Sequence, residues 1–229
     1  RYMKAEVAKF IANAKRTKED SGARLKSLRL SGKVVTERGA VAATIVKTAA
    51  RGVQLVAVGS RGLDALDRFM LGSVSAHVIH HVSCSVLVVR EAPRPIQRIV
   101  LAVDGSAASK RAVQFLLKSM NPGTRTAGEE AITVTVAHAM PFLNYPELRE
   151  AGKSIVEESA AKFLRVGYQV EQAATLGNPA DEILKAAETH KADLIVTGAK
   201  GLGAIGRFLL GSVSTRVVQH AHCSVLVVR

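Results

Sequence analysis

Three glycines and a serine recur twice in this chain with the spacing Gly-x2-Gly-x9-Gly-Ser. They stand at Gly59, Gly62, Gly72 and Ser73, and again at Gly198, Gly201, Gly211 and Ser212. In each set a continuous apolar run leads into the first glycine, and a helix-like segment follows the last. Backbone amides at a helix start have no intrahelical partner, and the helix dipole makes that end positive. Glycines let a ligand approach the backbone and tolerate positive φ. A phosphate suits such a loop. Lys200 and Arg207 add charge, and Ser212 can either cap the helix or donate to a phosphate oxygen. The same spacing also serves plain turn chemistry, in which glycine ends a strand, serine caps a helix and nothing binds. Spacing alone leaves both readings open.

Other nucleotide and catalytic motifs fare worse. No Gly-x4-Gly-Lys-Ser/Thr occurs, which excludes a P-loop. Gly201-Leu-Gly203-Ala-Ile-Gly206 matches Gly-x-Gly-x-x-Gly, but a dinucleotide fold then needs an acid about 20 residues on. No Asp or Glu follows Asp193, so the match is coincidental. His77, His80, His81 and Cys84 share one helical face and carry metal-capable groups. Zinc uses such ligands. The later copy of that segment, however, has Arg216 and Gln219 at the first two positions, and a surface helix leading into a packed strand is the better reading. Ser212 has no histidine placed near it by sequence. His138 and His190 are the histidines outside the repeat tails, and no nucleophile–base–acid set is visible.

The elements that must carry the glycine loops come in duplicate. Residues 59–90 and 198–229 align at a constant offset of 139, with 20 identities in 32 positions. A period this long means two folded copies rather than a solenoid. The second copy is complete. RIVLAVD (98–104) reads as a strand buried on both faces. A helix follows over about 106–120, with Ser106 as N-cap and Asn121-Pro122-Gly123 as the stop. Then come a strand at 131–139, a helix at 147–165 and a weak strand from Tyr168 to Ala174. A helix opening at Pro179, a strand at 193–198, a helix from Ser212 and a last strand at 224–229 complete it. The alternation predicts a parallel sheet with helices on both faces.

The first copy lacks a counterpart of residues 97–139. It retains a helix, a strand and a β-α-β tail. Losing a central strand leaves open edges, so the chain, which begins at Arg1, reads as a piece of a longer two-domain protein. The alternative is a partner that supplies the strands. The expected domains are 1–90 and 97–229, joined by a proline-containing linker at 91–96. The terminal strand CSVLVVR is identical in both copies and apolar. A bare edge of this kind invites pairing, so 85–89 and 224–228 are expected to pair across a pseudo-twofold axis.

Composition sets the outer limits. The chain has 229 residues and two cysteines, which fits a reducing, cytoplasmic setting rather than a disulfide scaffold. No apolar run approaches a membrane span. The net charge is +13, which admits anionic partners. Without Trp, and with three Tyr and six Phe, a stacking platform for nucleic acid is poorly supported. The excess of basic residues in 1–90 is better read as a solvated helix face.

VLAVDGS (100–106), GNPADEI (177–183), DLIVTGAKG (193–201) and the glycine loops ending in CSVLVVR together resemble the universal stress protein family in its tandem-domain form. The resemblance covers essentially the whole chain. It implies an open five-stranded parallel sheet of order 3-2-1-4-5 in each copy, Rossmann-like, with the first copy incomplete. It further implies ATP as the ligand, with or without Mg2+. Asp104 would sit near adenine and ribose, with Ala102 and Val103 against the base. Gly198, Gly201, Gly211, Ser212, Val213 and Ser214 would take ribose and phosphates. The resemblance also implies the terminal-strand contact. Asp104 ends the first strand and Gly198 the fourth, so both would line the crevice where the winding reverses; a turn or cap role for Asp104 is the alternative. Asp64 and Asp67 replace Gly203 and Gly206 in the first copy, where two carboxylates repel a phosphate. ATP binding is therefore expected in the second copy, and weaker or absent in the first. The leading functional expectation is an ATP-binding regulator of the stress response, at most a slow ATPase. The alternative is a nucleotide-independent dimerisation or protein-interaction module. Homo-oligomers stay open, and a nucleic-acid role is disfavoured.

Overall fold

The computed structural model describes residues 2–60, 71–90, 95–120, 131–140, 145–201 and 210–229. The chain forms two compact units, Arg1–Thr44 and Ile45–Arg229. The first holds the long helix α1 (Tyr2–Ser27), and α2 (Val41–Ala49) runs across the boundary between the units. The strand expected between the first helix and the β-α-β tail of the first copy does not form, and residues 30–38 carry no strand. The physical reason is the missing neighbour. The equivalent strand of the second copy lies beside a strand whose first-copy counterpart this chain lacks, and a strand with nothing to pair with gains no ladder.

The second unit is built on one sheet. Its strands are β1 (Leu55–Gly59), β2 (Ser85–Val89), β3 (Arg98–Ala102), β4 (Thr133–Met140), β5 (Gln169–Leu176), β6 (Leu194–Gly198) and β7 (Ser224–Val228). Their order across the sheet is β1-β2-β7-β6-β3-β4-β5. The expected open five-stranded parallel sheet therefore needs correcting, for the sheet has seven strands and is mixed. All neighbours are parallel except β2 and β7, which run antiparallel with Val86 opposite Val227, Leu87 opposite Leu226 and Val88 opposite Val225. Each terminal strand, left bare at the end of its own copy, satisfies its backbone groups on the other. The five strands contributed by residues 97–229 keep the sequence 3-2-1-4-5 among themselves.

Buried strands read as unbroken apolar runs because both faces are covered. In β3, Val100 and Ala102 join one core while Ile99 and Leu101 join the other; in β7, Val225 and Val227 part in the same way from Leu226 and Val228. The helices α3 (Ser73–His81), α6 (Pro179–Thr189) and α7 (Ser212–His220) cover the first face through Val78, Ile79, Ile183, Ala187, Val217 and Val218. On the other lie α4 (Ala107–Ser119) and α5 (Pro146–Leu164), through Ala112, Leu116, Val156, Ala160 and Phe163.

The junction of the copies is reciprocal. The amide of Arg90 donates to Ser224 Oγ at 3.3 Å, and that of Arg229 to Ser85 Oγ at 3.3 Å. Arg90 Nη2 donates to the carbonyls of Val218 (2.6 Å) and Gln219 (3.0 Å) at the C-terminal end of α7. Arg229 Nη2 donates to the Ile79 carbonyl in the last turn of α3. A guanidinium at a helix C-terminus satisfies orphan carbonyls and meets the negative end of the dipole.

Candidate functional site

The chain runs from β3 to β4 and β5 on one side, then returns to place β6 on the other side of β3. The winding reverses there, and open α/β sheets bind ligands outside the carboxyl ends of such strands. A cleft of about 550 Å³ opens at that place. All nine residues singled out from the sequence line it: Ala102, Val103 and Asp104 at and after the end of β3, Gly198 and Gly201 at and after the end of β6, and Gly211, Ser212, Val213 and Ser214 at the start of α7. Gly62, Asp64, Asp67, Gly203, Gly206 and Arg207 lie outside the described residues, as do 91–94 of the expected linker and the 121–123 stop.

The three glycines serve different physical needs. A Cβ on Gly198 would lie 2.7 Å from the Ala108 backbone carbonyl carbon and 2.8 Å from its Cβ, so this glycine lets α4 approach the end of β6. A Cβ on Gly201 would lie 2.8 Å from Asp104 Oδ2, so the second glycine makes room for the carboxylate. Among the described residues, a Cβ on Gly211 would meet nothing closer than 3.4 Å, and its φ of −67° is open to any residue. Neither strain nor packing against those residues requires glycine at 211.

Gly211 is the N-cap of α7, and among the described residues no side chain caps that helix. Ser212 is the first helical residue, where the sequence reading starts the helix, and the cap position falls on Gly211, so of the two roles open to Ser212 the cap is the one it does not fill. Ser214 is buried, and its hydroxyl donates to the carbonyls of Gly198 (2.8 Å) and Ala199 (3.3 Å), which leaves its amide rather than its hydroxyl to face a ligand. Of the other helices at this end of the sheet, α4 and α6 are capped by side chains, whereas α5, with Tyr145 as its N-cap, has no side-chain cap among the described residues. Ser106 Oγ accepts from the Ser109 amide at 3.1 Å, and Asn178 Oδ1 from the Ala180 amide at 3.1 Å. The first turn of α7 thus presents open amides, with the dipole, to the cleft. Lys200 lines the same wall.

Asp104 Oδ1 accepts the Ser106 amide at 3.0 Å, an Asx turn that orients the carboxylate. It is the only carboxylate among the described residues lining the cleft. Sequence reasoning missed the far wall, formed by Ala137, His138 and Ala139 of β4 and by Pro179 and Ile183 of α6. The available signal was the parallel pairing of β4 with β3, which carries the end of β4 beside that of β3. The wall is largely apolar and accepts a flat hydrophobic group.

The cleft has an apolar slot, one carboxylate and an open helix N-terminus, features whose chemistry suits a nucleotide. Mg2+ takes one or two carboxylates together with phosphate and water, and Asp104 is the one carboxylate that the described lining residues offer it. The His77, His80, His81 and Cys84 set does not converge. His77 and His81 stack with ring centroids 4.0 Å apart, and no group of three metal-capable side chains comes together among the described residues. No described helix is long and apolar enough to cross a membrane.

Comparison with known proteins follows the duplication. The model of the Universal stress protein family matches residues 3–90 and again 95–229. A universal stress protein of Mycolicibacterium smegmatis is 32% identical over 200 residues, covering 82% of this chain and 66% of that protein, just under two thirds of its length. One from Mycobacterium tuberculosis is 27% identical over 247 residues, covering all of this chain and 74% of the relative. The crystal structure of a universal stress protein from Archaeoglobus fulgidus superposes with a TM-score of 0.71 at 21% identity, over 97% of this chain and 80% of that one, a likeness of fold.

Proposed function

Because this chain belongs to the universal stress protein family, we propose that its second copy, residues 97–229, binds ATP and that the protein acts as a nucleotide-dependent regulator of the stress response. The first copy, residues 1–90, binds nucleotide more weakly or not at all. The observation that supports this reading best is the start of α7, where a helix with no side-chain cap opens onto the cleft beside Lys200. The amides of Ser212, Val213 and Ser214 take phosphate oxygens. Asp104 meets the ribose. Ala102, Val103 and the β4 and α6 wall receive the adenine. A divalent ion, where present, is carried by the phosphates and water.

No side chain among the described residues of the cleft is arranged as a water-activating base, and we read the role as binding rather than fast turnover. The imidazole of His138 is committed to a backbone carbonyl, with its Nδ1 2.7 Å from the Val103 oxygen. Calorimetric titration of the chain with ATP tests the proposal. Saturable binding in the micromolar range, one site per chain, is the expected result. No heat of binding, with the chain folded by circular dichroism, would leave the nucleotide-independent interaction module as the better account.

A further inference from the structure

We infer that His138 is the positioning residue of the cleft: its ring fixes the peptide between Val103 and Asp104, and so sets where the carboxylate stands. The ladder between β3 and β4 ends at Ala102 opposite Ala137. Val103 lies one residue beyond, and it is held at both polar atoms. Its amide donates to the Ala137 carbonyl at 2.9 Å, and its carbonyl accepts from His138 Nδ1 at 2.7 Å. Asp104 follows directly, with Oδ1 in its Asx turn and Oδ2 against the Cα of Gly201. The carboxylate is therefore steadied from two sides, by the turn ahead of it and by the imidazole behind it.

The ring is itself seated from outside. Gly152 of α5 is buried, and a Cβ there would lie 2.9 Å from His138 Cδ2 and 2.5 Å from Met140 Sδ. Glycine in a helix interior is unfavourable, and here it gives the imidazole the space it occupies. A chain of contacts runs from Gly152 to His138, on to the Val103 carbonyl and then to Asp104. Of these residues, Gly152 is not part of the cleft lining.

The bond also fixes the tautomer. A backbone carbonyl only accepts, so Nδ1 must carry a proton, and Nε2 is the bare nitrogen of the neutral ring. This statement concerns the protein alone. The consequence for ATP rests on the nucleotide reading given above.

Two measurements test the inference. Nitrogen-15 NMR of the neutral His138 ring in the ligand-free chain is expected to give the Nδ1–H tautomer, and the Nε2–H tautomer would overturn the inference whether or not ATP binds. In ATP calorimetry, His138→Phe, which keeps the ring and loses the donor, is expected to weaken binding about tenfold, the size of one lost hydrogen bond. His138→Asn places an amide near the Nδ1 position and is expected to recover binding to within about threefold of the parent. Gly152→Ala, remote from the ligand, is expected to weaken ATP while leaving the chain folded. Phe and Asn variants that bind alike, or a Gly152→Ala chain that binds as the parent does, would overturn it. Should the parent chain fail to bind ATP, the nucleotide reading falls, and the tautomer alone decides the position of the ring.

Discussion

Substituting the three glycines of the second-copy loop one at a time should give three different phenotypes. In Gly198→Ala the new methyl meets the Ala108 backbone at 2.7 Å, far inside van der Waals contact and against atoms that cannot turn away. Overpacking of this kind costs about 1–3 kcal/mol. In a domain of this size each kcal/mol lowers the melting temperature by roughly 2–4 °C. In Gly201→Ala the clash is with Asp104 Oδ2, the free end of a side chain that can swing aside, so stability should change by less than about 0.5 kcal/mol. The displaced carboxylate should weaken ATP several-fold. In Gly211→Val the backbone already sits at a φ open to valine, and the Cβ finds ordinary contacts at 3.4 Å and beyond. The fold should lose no more than about 1 kcal/mol, the cost of a poorer N-cap. The branched side chain, however, stands beside the amides that receive phosphate, and ATP affinity should fall by at least about tenfold, or 1.4 kcal/mol. Thermal melts with and without ATP, together with calorimetry on each variant, separate the two axes. A Gly198→Ala chain as stable as the parent, or a Gly211→Val chain that binds ATP normally, would show that the contacts have been assigned to the wrong glycines.

Two further outcomes are expected. Arg90→Ala removes charge-assisted bonds to the Val218 and Gln219 carbonyls and should lower the urea midpoint by an amount equivalent to about 1–3 kcal/mol; Arg229→Ala should act likewise through α3, and an unchanged midpoint in both would deny the cross-capping. Burial, aided by the nearby charges of His81, Arg229 and His77, lowers the pKa of His80 from its ordinary 6.5, so the folded state favours the neutral ring. The stability this confers is fully present above pH 6.5 and is lost as pH falls through the lowered folded value. The pH dependence of urea unfolding below 6.5 should therefore flatten in His80→Gln.

What could be read from the residues depended on how local the cause was. RIVLAVD announced a strand buried on both faces because its apolar run is unbroken, and Ser106 announced the start of α4 because a serine cap acts over three residues. The repeated spacing marked the second-copy glycine loop but left phosphate binding and plain turn chemistry both open, and Asp104 and the rest of the expected lining came from the resemblance to the family. The strand expected between the first helix and the β-α-β tail of the first copy misled because strand patterning describes a segment and says nothing of whether a neighbour exists. His138 gave no sign at all. Its partner is a carbonyl on another strand, 35 residues away, and backbone atoms leave no trace in a sequence. The reasons for Gly198 and Gly201 were equally hidden, since each is set by an atom brought close only by the packing of α4 or the turn at Asp104.

The single antiparallel seam between β2 and β7 has a directional outcome. Strands on either side of it point their carboxyl ends toward opposite margins of the sheet. The helix starts at Gly72 and at Gly211 therefore look out on opposite sides of the molecule, and no small molecule can touch both. Whatever is held on one side is coupled to the other through three facing residue pairs, the serines Ser85 and Ser224, two crossed arginines and the core that α3 and α7 share.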